Sequence, residues 1–315
     1  MKAETRGLWL GLVGVTLFAA TLPMTRLAIG PFDAQQLSPG FVTFGRAAVA
    51  GVLSIFYLAS VRGLRPQGRE WPVLLFTAFC VVLGFPLFMA LAMRHVEAVH
   101  ASVIVGILPL VTAIVGSLWL RQRPAPGFWV CAVAGSALVG AFVLLRPGTS
   151  SSGAQFADLL LLIAIVSAAC GYVSGGQLTL RLGAERVICW VLVISLPLTL
   201  PAMLISWPAA PVLASAWVAF AYLALFSMWI GFFAWYRGLA IGGTVRVSQV
   251  QLVQPFQSML FAVPLLGESL DLLTVGFALA VITTVFIGKK MPVSTLGPQR
   301  DAADRASAEA GKRAA

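Results

Sequence analysis

Apolar residues form long, nearly uninterrupted runs along this chain, and polar residues collect between the runs. Ten runs have a length of about 20 residues, which is what a helix needs to cross the hydrocarbon core of a bilayer. They lie near residues 8–29, 38–61, 72–93, 100–120, 126–145, 157–180, 187–206, 213–236, 244–266 and 271–288. The pattern predicts an all-α integral membrane protein with ten transmembrane helices.

A polar stretch, RPGTSSSGAQFAD (146–158), divides the ten runs into two sets of five. We therefore expect a first five-helix unit over residues 1–147, a polar linker over 148–157 and a second five-helix unit over 158–290. Residues 291–315 are mostly small or charged and show no apolar period, so the sequence predicts a disordered cytoplasmic tail there.

The two units also repeat one another in sequence. The segment ALAMRHVEAVHASVIVGILP (90–109) parallels GLAIGGTVRVSQVQLVQP (238–255), and the alignment places Pro109 opposite Pro255. Each unit has an odd number of helices, so the two copies must enter the membrane from opposite sides, as in many secondary transporters. Both prolines are candidate hinges, because proline removes a backbone donor and frees a carbonyl.

Composition and charge also indicate that the chain lies in a lipid bilayer, which is therefore its expected partner. Hydrophobic residues make up 59% of the chain and charged residues only 10%, which is too apolar for one globular core. With a cytoplasmic N-terminus, the outer half holds only four of the 21 Lys and Arg residues, at Arg26, Arg46, Arg94 and Arg146. This positive-inside bias places both termini in the cytoplasm. It also argues against nucleic-acid binding, which needs one clustered basic surface.

A family resemblance rests on a Leu-Ala pair, a small-residue turn, a serine at a helix start, a proline and a Leu-Gly-Glu corner. The second unit has these at Leu239, Ala240, Ser248, Pro255, Leu266, Gly267 and Glu268, and the first unit has Leu91, Ala92, Ala101, Ser102 and Pro109. Gln122 stands where the first unit would carry its glutamate. The chain resembles the EamA-type transporters of the drug/metabolite transporter superfamily. The resemblance implies an inner-membrane protein that works by alternating access with a pocket between two inverted five-helix halves. It also implies a small metabolite such as an amino acid as substrate, and export rather than import.

The stretch QVQLVQPFQS (249–258) places several polar side chains inside an apolar run. On a helix that begins at Ser248, one face holds Gln251, Gln254 and Ser258. This face either lines a hydrated cavity and binds substrate, or makes hydrogen bonds between helices. Ser102 in the aligned helix allows the same two interpretations, as a substrate contact or as a close-packing position.

Three further residues are candidate substrate contacts. Arg46 is the most deeply placed charge, and intramembrane ionisable residues tend to face the protein interior. A substrate carboxylate, a helix C-terminus or a loop carboxylate such as Asp33 would be its partner. Tyr172 and Phe85 lie beside glycines or a proline, where an aromatic ring either fills a packing groove or contacts an apolar substrate.

Motifs of enzyme chemistry are missing from the sequence, which has no HExxH, GxSxG or phosphate-binding loop. We therefore expect no catalytic residue, cofactor or metal. The expected protein is a carrier of a small molecule that acts as a monomer. The alternative is a membrane-embedded enzyme. His95 and His100 are expected in solvent at an outer turn. Every Asp and Glu is expected in a loop, a terminus or a helix end, so the sequence predicts facilitated rather than proton-driven transport.

Overall fold

The computed structural model describes residues 3–31, 33–61, 65–119, 122–124, 126–145, 152–242, 247, 249–269, 271–290 and 293–295. Its α-helices are α1 Ala3–Ala19, α2 Thr21–Ile29, α3 Pro39–Ser60, α4 Trp71–Ala78, α5 Phe85–Ala92, α6 Ala98–Val105, α7 Leu108–Trp119, α8 Pro126–Leu145, α9 Ser152–Leu182, α10 Ala184–Ile205, α11 Ala214–Tyr222, α12 Gly231–Gly242, α13 Gln254–Leu266 and α14 Leu272–Lys290. Helical segments thus occupy each of the ten predicted apolar runs. Within the described residues, seven helical stretches are long and apolar enough to cross a membrane.

Two spans contain a π-helical segment at matching places in the two halves. Residues Phe79–Gly84 join α4 to α5, and residues Leu223–Ile230 join α11 to α12. A π-helical turn widens the helix and is frequently found at functional sites. Because these spans are the third of each half, the shared irregularity is structural support for the repeat that the sequence indicates.

Two other spans are interrupted just before a proline. The helix α6 ends at Val105 and α7 begins at Leu108, one residue ahead of Pro109. In the second half a 3₁₀ segment, Gln249–Val253, precedes α13, in which Pro255 is the second residue. Proline fits the first turn of a helix, where its missing N–H has no partner to lose. The continuous helix over 244–266 that the sequence analysis assumed is therefore wrong, and each proline begins a new helix.

Packing pairs elements of one half with elements of the other. The helix α1 lies along α12, and α9 lies along α4 and α5. These are equivalent contacts, since each joins the first span of one half to the third span of the other. The helix α3 packs on α10, which joins the two second spans. The core therefore lies between the halves rather than within either one.

Residues at the edges of the predicted units differ in two places from the expectation. The helix α9 begins at Ser152, so part of the predicted linker is helical. In the tail, residues Val293–Thr295 form a strand, β2, that pairs antiparallel with β1, Gln122–Pro124. Residues 148–151 and 296–315 lie outside the described part of the chain.

Candidate functional site

One cavity lies between the two halves and takes its walls from both. About 20 Å³ of it is open to the centres of water-sized spheres, roughly the space that one water molecule needs, so the cavity is nearly closed in this structure. The lining residues are Phe18, Thr21, Arg46, Val81 and Phe85 of the first half and Ala168, Tyr172, Ser227, Phe232 and Gln254 of the second half. Val81 and Ser227 belong to the two π-helical segments, so both irregular turns open onto this cavity.

Arg46 is the charged residue of the cavity lining. It lies two turns into α3, and only 3% of its surface is exposed. One guanidinium nitrogen, Nη2, contacts the Met228 sulfur at 3.3 Å, and Nε has no hydrogen-bond partner among the described residues. No carboxylate in the described segments forms an ion pair with it. An isolated buried charge is costly, so the site favours an anionic ligand.

Four aromatic residues, Phe18, Phe85, Tyr172 and Phe232, are among the lining residues. The Phe18 and Phe232 ring centroids lie 5.0 Å apart, and the Tyr172 ring lies 6.3 Å from that of Phe232. These rings offer apolar contact and negative ring faces that attract a cation. The cavity therefore combines a guanidinium with an aromatic surface.

Polar groups of neutral charge complete the lining. The hydroxyls of Thr21 and Ser227 form a buried hydrogen bond of 2.8 Å across the two halves. Gln254, in the first turn of α13, is 9% exposed. A few convergent polar groups in an apolar pocket are typical of sites that orient a small ligand.

The structure brings together four of the predicted substrate contacts, Arg46, Phe85, Tyr172 and Gln254. Two others, Ser102 and Ser258, donate hydrogen bonds to backbone carbonyls, and neither lines the cavity. The Ser102 hydroxyl donates to the Ala98 carbonyl at 2.7 Å, one helical turn earlier in the chain.

The remaining predicted contacts lie elsewhere. The Ser258 hydroxyl donates to the Ala19 carbonyl at 2.8 Å, which ties α13 to the junction of α1 and α2. Gln251 is 2% exposed, and neither of its amide atoms has a hydrogen-bond partner among the described residues. It lies in the 3₁₀ segment, where the spacing of an α-helix no longer applies. Ser248 lies outside the described residues.

Sequence reasoning missed Phe18, Thr21 and Ser227. Thr21 and Ser227 are single hydroxyl residues in apolar runs, and such residues often bond to the backbone of their own helix. Only their pairing across the halves reveals them as cavity residues. Ser227 also lies in a π-helical segment, which sequence periodicity does not predict.

Two contacts join the halves at the end of the bundle formed by turns 93–97 and 267–271. The Glu268 carboxylate accepts hydrogen bonds from the backbone N–H groups of Ala98 at 2.9 Å and Val99 at 2.8 Å. It thereby caps the N-terminus of α6, where free N–H groups favour an anion. Burial raises the pKa of the Glu268 carboxyl above its usual range.

The second contact corrects two expectations from the sequence. His100 is buried rather than solvated, and its Nε2 lies 2.7 Å from Oδ1 of Asp158. Asp158 is 6% exposed and lies inside α9 rather than in a loop. The expectation that every Asp and Glu lies in a loop, a terminus or a helix end is therefore wrong for Asp158, which is the seventh residue of α9. The cause is that α9 starts earlier than its apolar run, so that a polar residue enters the interface.

A repeat of irregular helices around one shared cavity defines a class, the multi-pass membrane transporters. The EamA-like transporter family matches residues 5–146 and 155–288, one copy in each half. The chain therefore belongs to that family.

Relatives over the full length bear transporter names. A Bacillus subtilis protein named uncharacterized transporter YdeK is 44% identical over 92% of this chain and 99% of its own length. A Streptantibioticus cattleyicolor protein named a probable terminal-alkyne amino-acid exporter is 28% identical over 95% of this chain and 97% of its own. A solved crystal structure of a protein shares the fold with a TM-score of 0.65 and 17% identity, covering 90% of this chain and 96% of that one.

Proposed function

We propose that this protein is a secondary transporter that moves an amino acid or a related small carboxylate across the inner membrane by alternating access, with export as its direction. The observation that carries the proposal is Arg46, a buried guanidinium in the cavity between the halves with no carboxylate partner in the described chain. A substrate carboxylate supplies that partner. A planar guanidinium binds a carboxylate through two parallel hydrogen bonds.

The rest of the cavity suits the other end of an amino acid. Tyr172 and Phe232 offer ring faces to an ammonium group or to an apolar side chain, and Gln254 offers an amide. Arg46 is the one basic side chain among the lining residues, so the second negative charge of a dicarboxylate would have no cationic partner in the cavity. Amino acids with apolar side chains, such as phenylalanine and leucine, fit this chemistry best.

Alternating access has candidate hinges at matching places in the two halves. A break before Pro109 and another before Pro255 each divide a span into two parts. The shorter part is Ala98–Val105 in the first half and Gln249–Val253 in the second half. Discontinuous helices of this kind surround the substrate sites of many transporters with inverted repeats. We propose that motion at these breaks and at the two π-helical segments opens the cavity to one side at a time.

Export draws its support from the relatives rather than from the cavity. The name of the Streptantibioticus cattleyicolor relative states amino-acid export, and that relative aligns with nearly the whole chain. The transporter names of the relatives also favour a carrier over a membrane-embedded enzyme.

The topology that we propose has ten membrane crossings, cytoplasmic termini and inverted halves, with a monomer as the working unit. A reporter fused after Lys290 should therefore be active on the cytoplasmic side, and one inserted in the segment TSSSG (149–153) should be active on the outer side. Fusions that report the same side for both positions would contradict the inverted repeat.

Replacing Gln254 by leucine should lower transport per molecule by roughly 10-fold while membrane abundance stays near normal, because the loss of one amide contact to substrate costs about 1 kcal/mol or more. The matched control is Gln257→Leu. Gln257 lies one turn away, and its amide donates to the Thr16 hydroxyl at 3.0 Å. That variant should lose abundance, with transport per folded molecule unchanged. Equal loss of abundance in both variants would show that Gln254 has only a structural role.

Counterflow in proteoliposomes tests the proposed function. Vesicles are loaded with unlabelled L-phenylalanine, L-leucine, L-lysine or L-glutamate, and uptake of the same labelled compound is followed. We expect saturable counterflow for the two apolar amino acids and little for glutamate. Counterflow for none of the four, with protein that is folded, would contradict the proposal.

A further inference from the structure

Two buried threonine hydroxyls lie one helical turn beyond the cavity and have had no part in the argument above. Thr25 follows the lining residue Thr21 by four positions on α2, and Thr43 precedes the lining residue Arg46 by three positions on α3. Residues three or four apart share one face of a helix. Thr25 and Thr43, the outer threonines, therefore continue the two walls that Thr21 and Arg46 give to the cavity.

Neither outer threonine makes the hydrogen bond that is usual for its position. Threonine and serine hydroxyls inside helices commonly donate to the backbone carbonyl one turn earlier, as Thr77, Ser102 and Ser195 do in this chain. Thr25 is 2% exposed and Thr43 is fully buried, yet neither Oγ1 atom has a hydrogen-bond partner among the described residues. A buried polar group without a partner is costly, so both hydroxyls favour a hydrogen-bonding ligand.

The outer threonines lie between the cavity and the outer end of the bundle. In the proposed topology α2 runs outward and α3 runs inward, so each threonine is about 5 Å nearer to the outer side than the lining residue on its own helix. The helix α5 packs on both α2 and α3 and gives Phe85 to the cavity. At the outer end, Arg26 donates a hydrogen bond to the Met93 carbonyl, which ties α2 to the residue that follows α5.

A carboxylate is the ligand that suits this position. A substrate carboxylate that leaves Arg46 for the outer side gives up a charged partner, and an unpaired charge in an apolar interior is costly. Hydroxyl groups one turn farther along the same walls offer it hydrogen bonds, and bonds to a charged acceptor are the strong ones. The positive charge of Arg46 remains one turn away and acts on the same anion.

We propose that Thr25 and Thr43 form a second binding position for the substrate carboxylate, which the carboxylate occupies between Arg46 and the outer solution. This inference rests on the proposed function and on the proposed topology. In the present structure the cavity is nearly closed, and the contact between Arg26 and Met93 holds the outer end of α2 in place. When the outer side opens, this contact breaks and both hydroxyls become accessible from outside.

Cysteine reactivity tests the position without substrate. Thr25→Cys and Thr43→Cys are made singly in the full-length protein. Right-side-out vesicles are treated with methanethiosulfonate reagents that do not cross the membrane and that carry either a sulfonate or a trimethylammonium group. Each rate is divided by the rate of the same reagent with a free thiol in solution. We expect both variants to react, and the anionic reagent to react at least about five-fold faster than the cationic one, because Arg46 attracts anions.

Two comparisons make the reactivity specific. Adding Arg46→Gln to either variant should remove the preference for the anionic reagent, because the attracting charge is gone. Wild-type protein sets the background, since its native cysteines lie inside helices, where three are buried and one is partly exposed: Cys80, Cys131, Cys189 and Cys170.

Thr199→Cys is the matched control. Thr199 is also a fully buried threonine whose hydroxyl has no partner among the described residues, but it belongs to α10, which gives no residue to the cavity lining. It shares a helical face with Leu196 and Met203, which lie against Gly51 and Gly45 of α3. Thr199→Cys should therefore react with neither reagent.

Valine variants provide the second measurement. Thr25→Val and Thr43→Val keep the shape of the side chain and remove the hydroxyl. Folded protein should not decrease, because no described group loses a hydrogen-bond partner. Counterflow of labelled L-phenylalanine per folded molecule should fall by roughly 10-fold, which is the expected effect of losing one hydrogen bond to a charged group. Thr199→Val should change neither quantity.

Failure of this position and failure of the proposed function give different results. Normal counterflow by the two valine variants, or cysteine variants that do not react or that react without a preference for the anion, would overturn the carboxylate position. Counterflow by the wild-type protein would then leave the proposed function standing. Wild-type protein that transports none of the amino acids tested, with cysteine variants that still prefer the anionic reagent, would overturn the proposed function and leave an anion-binding position at the outer threonines.

Discussion

Replacing Arg46 by glutamine is expected to reduce transport by roughly 100-fold, because removing a charged hydrogen-bonding partner costs about 1.5–3 kcal/mol. Membrane abundance should not fall. Arg46 makes no described ion pair, and its recorded side-chain hydrogen bond is to the Met228 sulfur, so glutamine removes a buried charge without orphaning a partner. The loss should therefore appear in transport and not in folding.

Two further variants sharpen this result. Arg46→Lys should retain intermediate transport, since lysine supplies a positive charge but not the two-pronged geometry of a guanidinium. The matched control is Arg237→Gln. Arg237 is exposed and pairs with Glu185 at 3.2 Å, so that variant should transport normally, because exposed ion pairs contribute little. Normal transport by Arg46→Gln would contradict the assignment of Arg46 to the substrate.

The second large effect concerns folding. Replacing Gly238 by valine should reduce the amount of folded protein in the membrane by roughly 10-fold, because overpacking costs about 1–3 kcal/mol and more where backbone must move. A side chain at Gly238 would place its Cβ 2.7 Å from the Gly11 nitrogen and 3.0 Å from the Gly7 carbonyl oxygen. Both are backbone atoms of α1. The valine would thus force apart α1 and α12, which are the first and third spans of opposite halves.

Gly176→Val is the matched control for that prediction. Gly176 is also a glycine inside a long helix, and a Cβ there would meet no atom within 4 Å. The two variants carry the same small change in intrinsic helix propensity, which favours valine over glycine. Folded protein is measured by fluorescence-detected size-exclusion chromatography. Equal losses in the two variants would show that replacing a helical glycine by valine, and not the contact with α1, is responsible.

The sequence predicted the parts of the fold that depend on bulk hydrophobicity. Each apolar run contains helix because backbone polar groups in lipid must be satisfied within the segment. Four cavity residues were also predicted, for a related reason. A charge such as Arg46, or an amide such as Gln254, is too costly in lipid and must face the protein interior.

Contacts between distant segments were not predictable from one sequence. His100 and Asp158 each lie near the end of an apolar run, where a polar residue is ordinarily solvated. Only the packing of α6 on α9 brings them together and buries them. The helical wheel placed Gln251 and Ser258 on the cavity face. Gln251 lies in the 3₁₀ segment before α13, where the rotation per residue differs from that of an α-helix. Ser258 donates its hydroxyl to the Ala19 carbonyl instead of facing the cavity. A change of helix type leaves no mark in apolar periodicity.

The central claim is that Arg46 binds the carboxylate of the substrate, and one comparison in proteoliposomes tests it most directly. Wild-type protein is assayed for counterflow of labelled L-phenylalanine in competition with unlabelled L-phenylalanine or with unlabelled L-phenylalaninamide, which has the same ring and amine but no carboxylate. The account predicts that the acid competes at least 10-fold more strongly than the amide, since a charged hydrogen bond is worth about 1.5–3 kcal/mol. In the Arg46→Gln variant this preference should disappear. Equal competition by acid and amide in the wild-type protein would contradict the account.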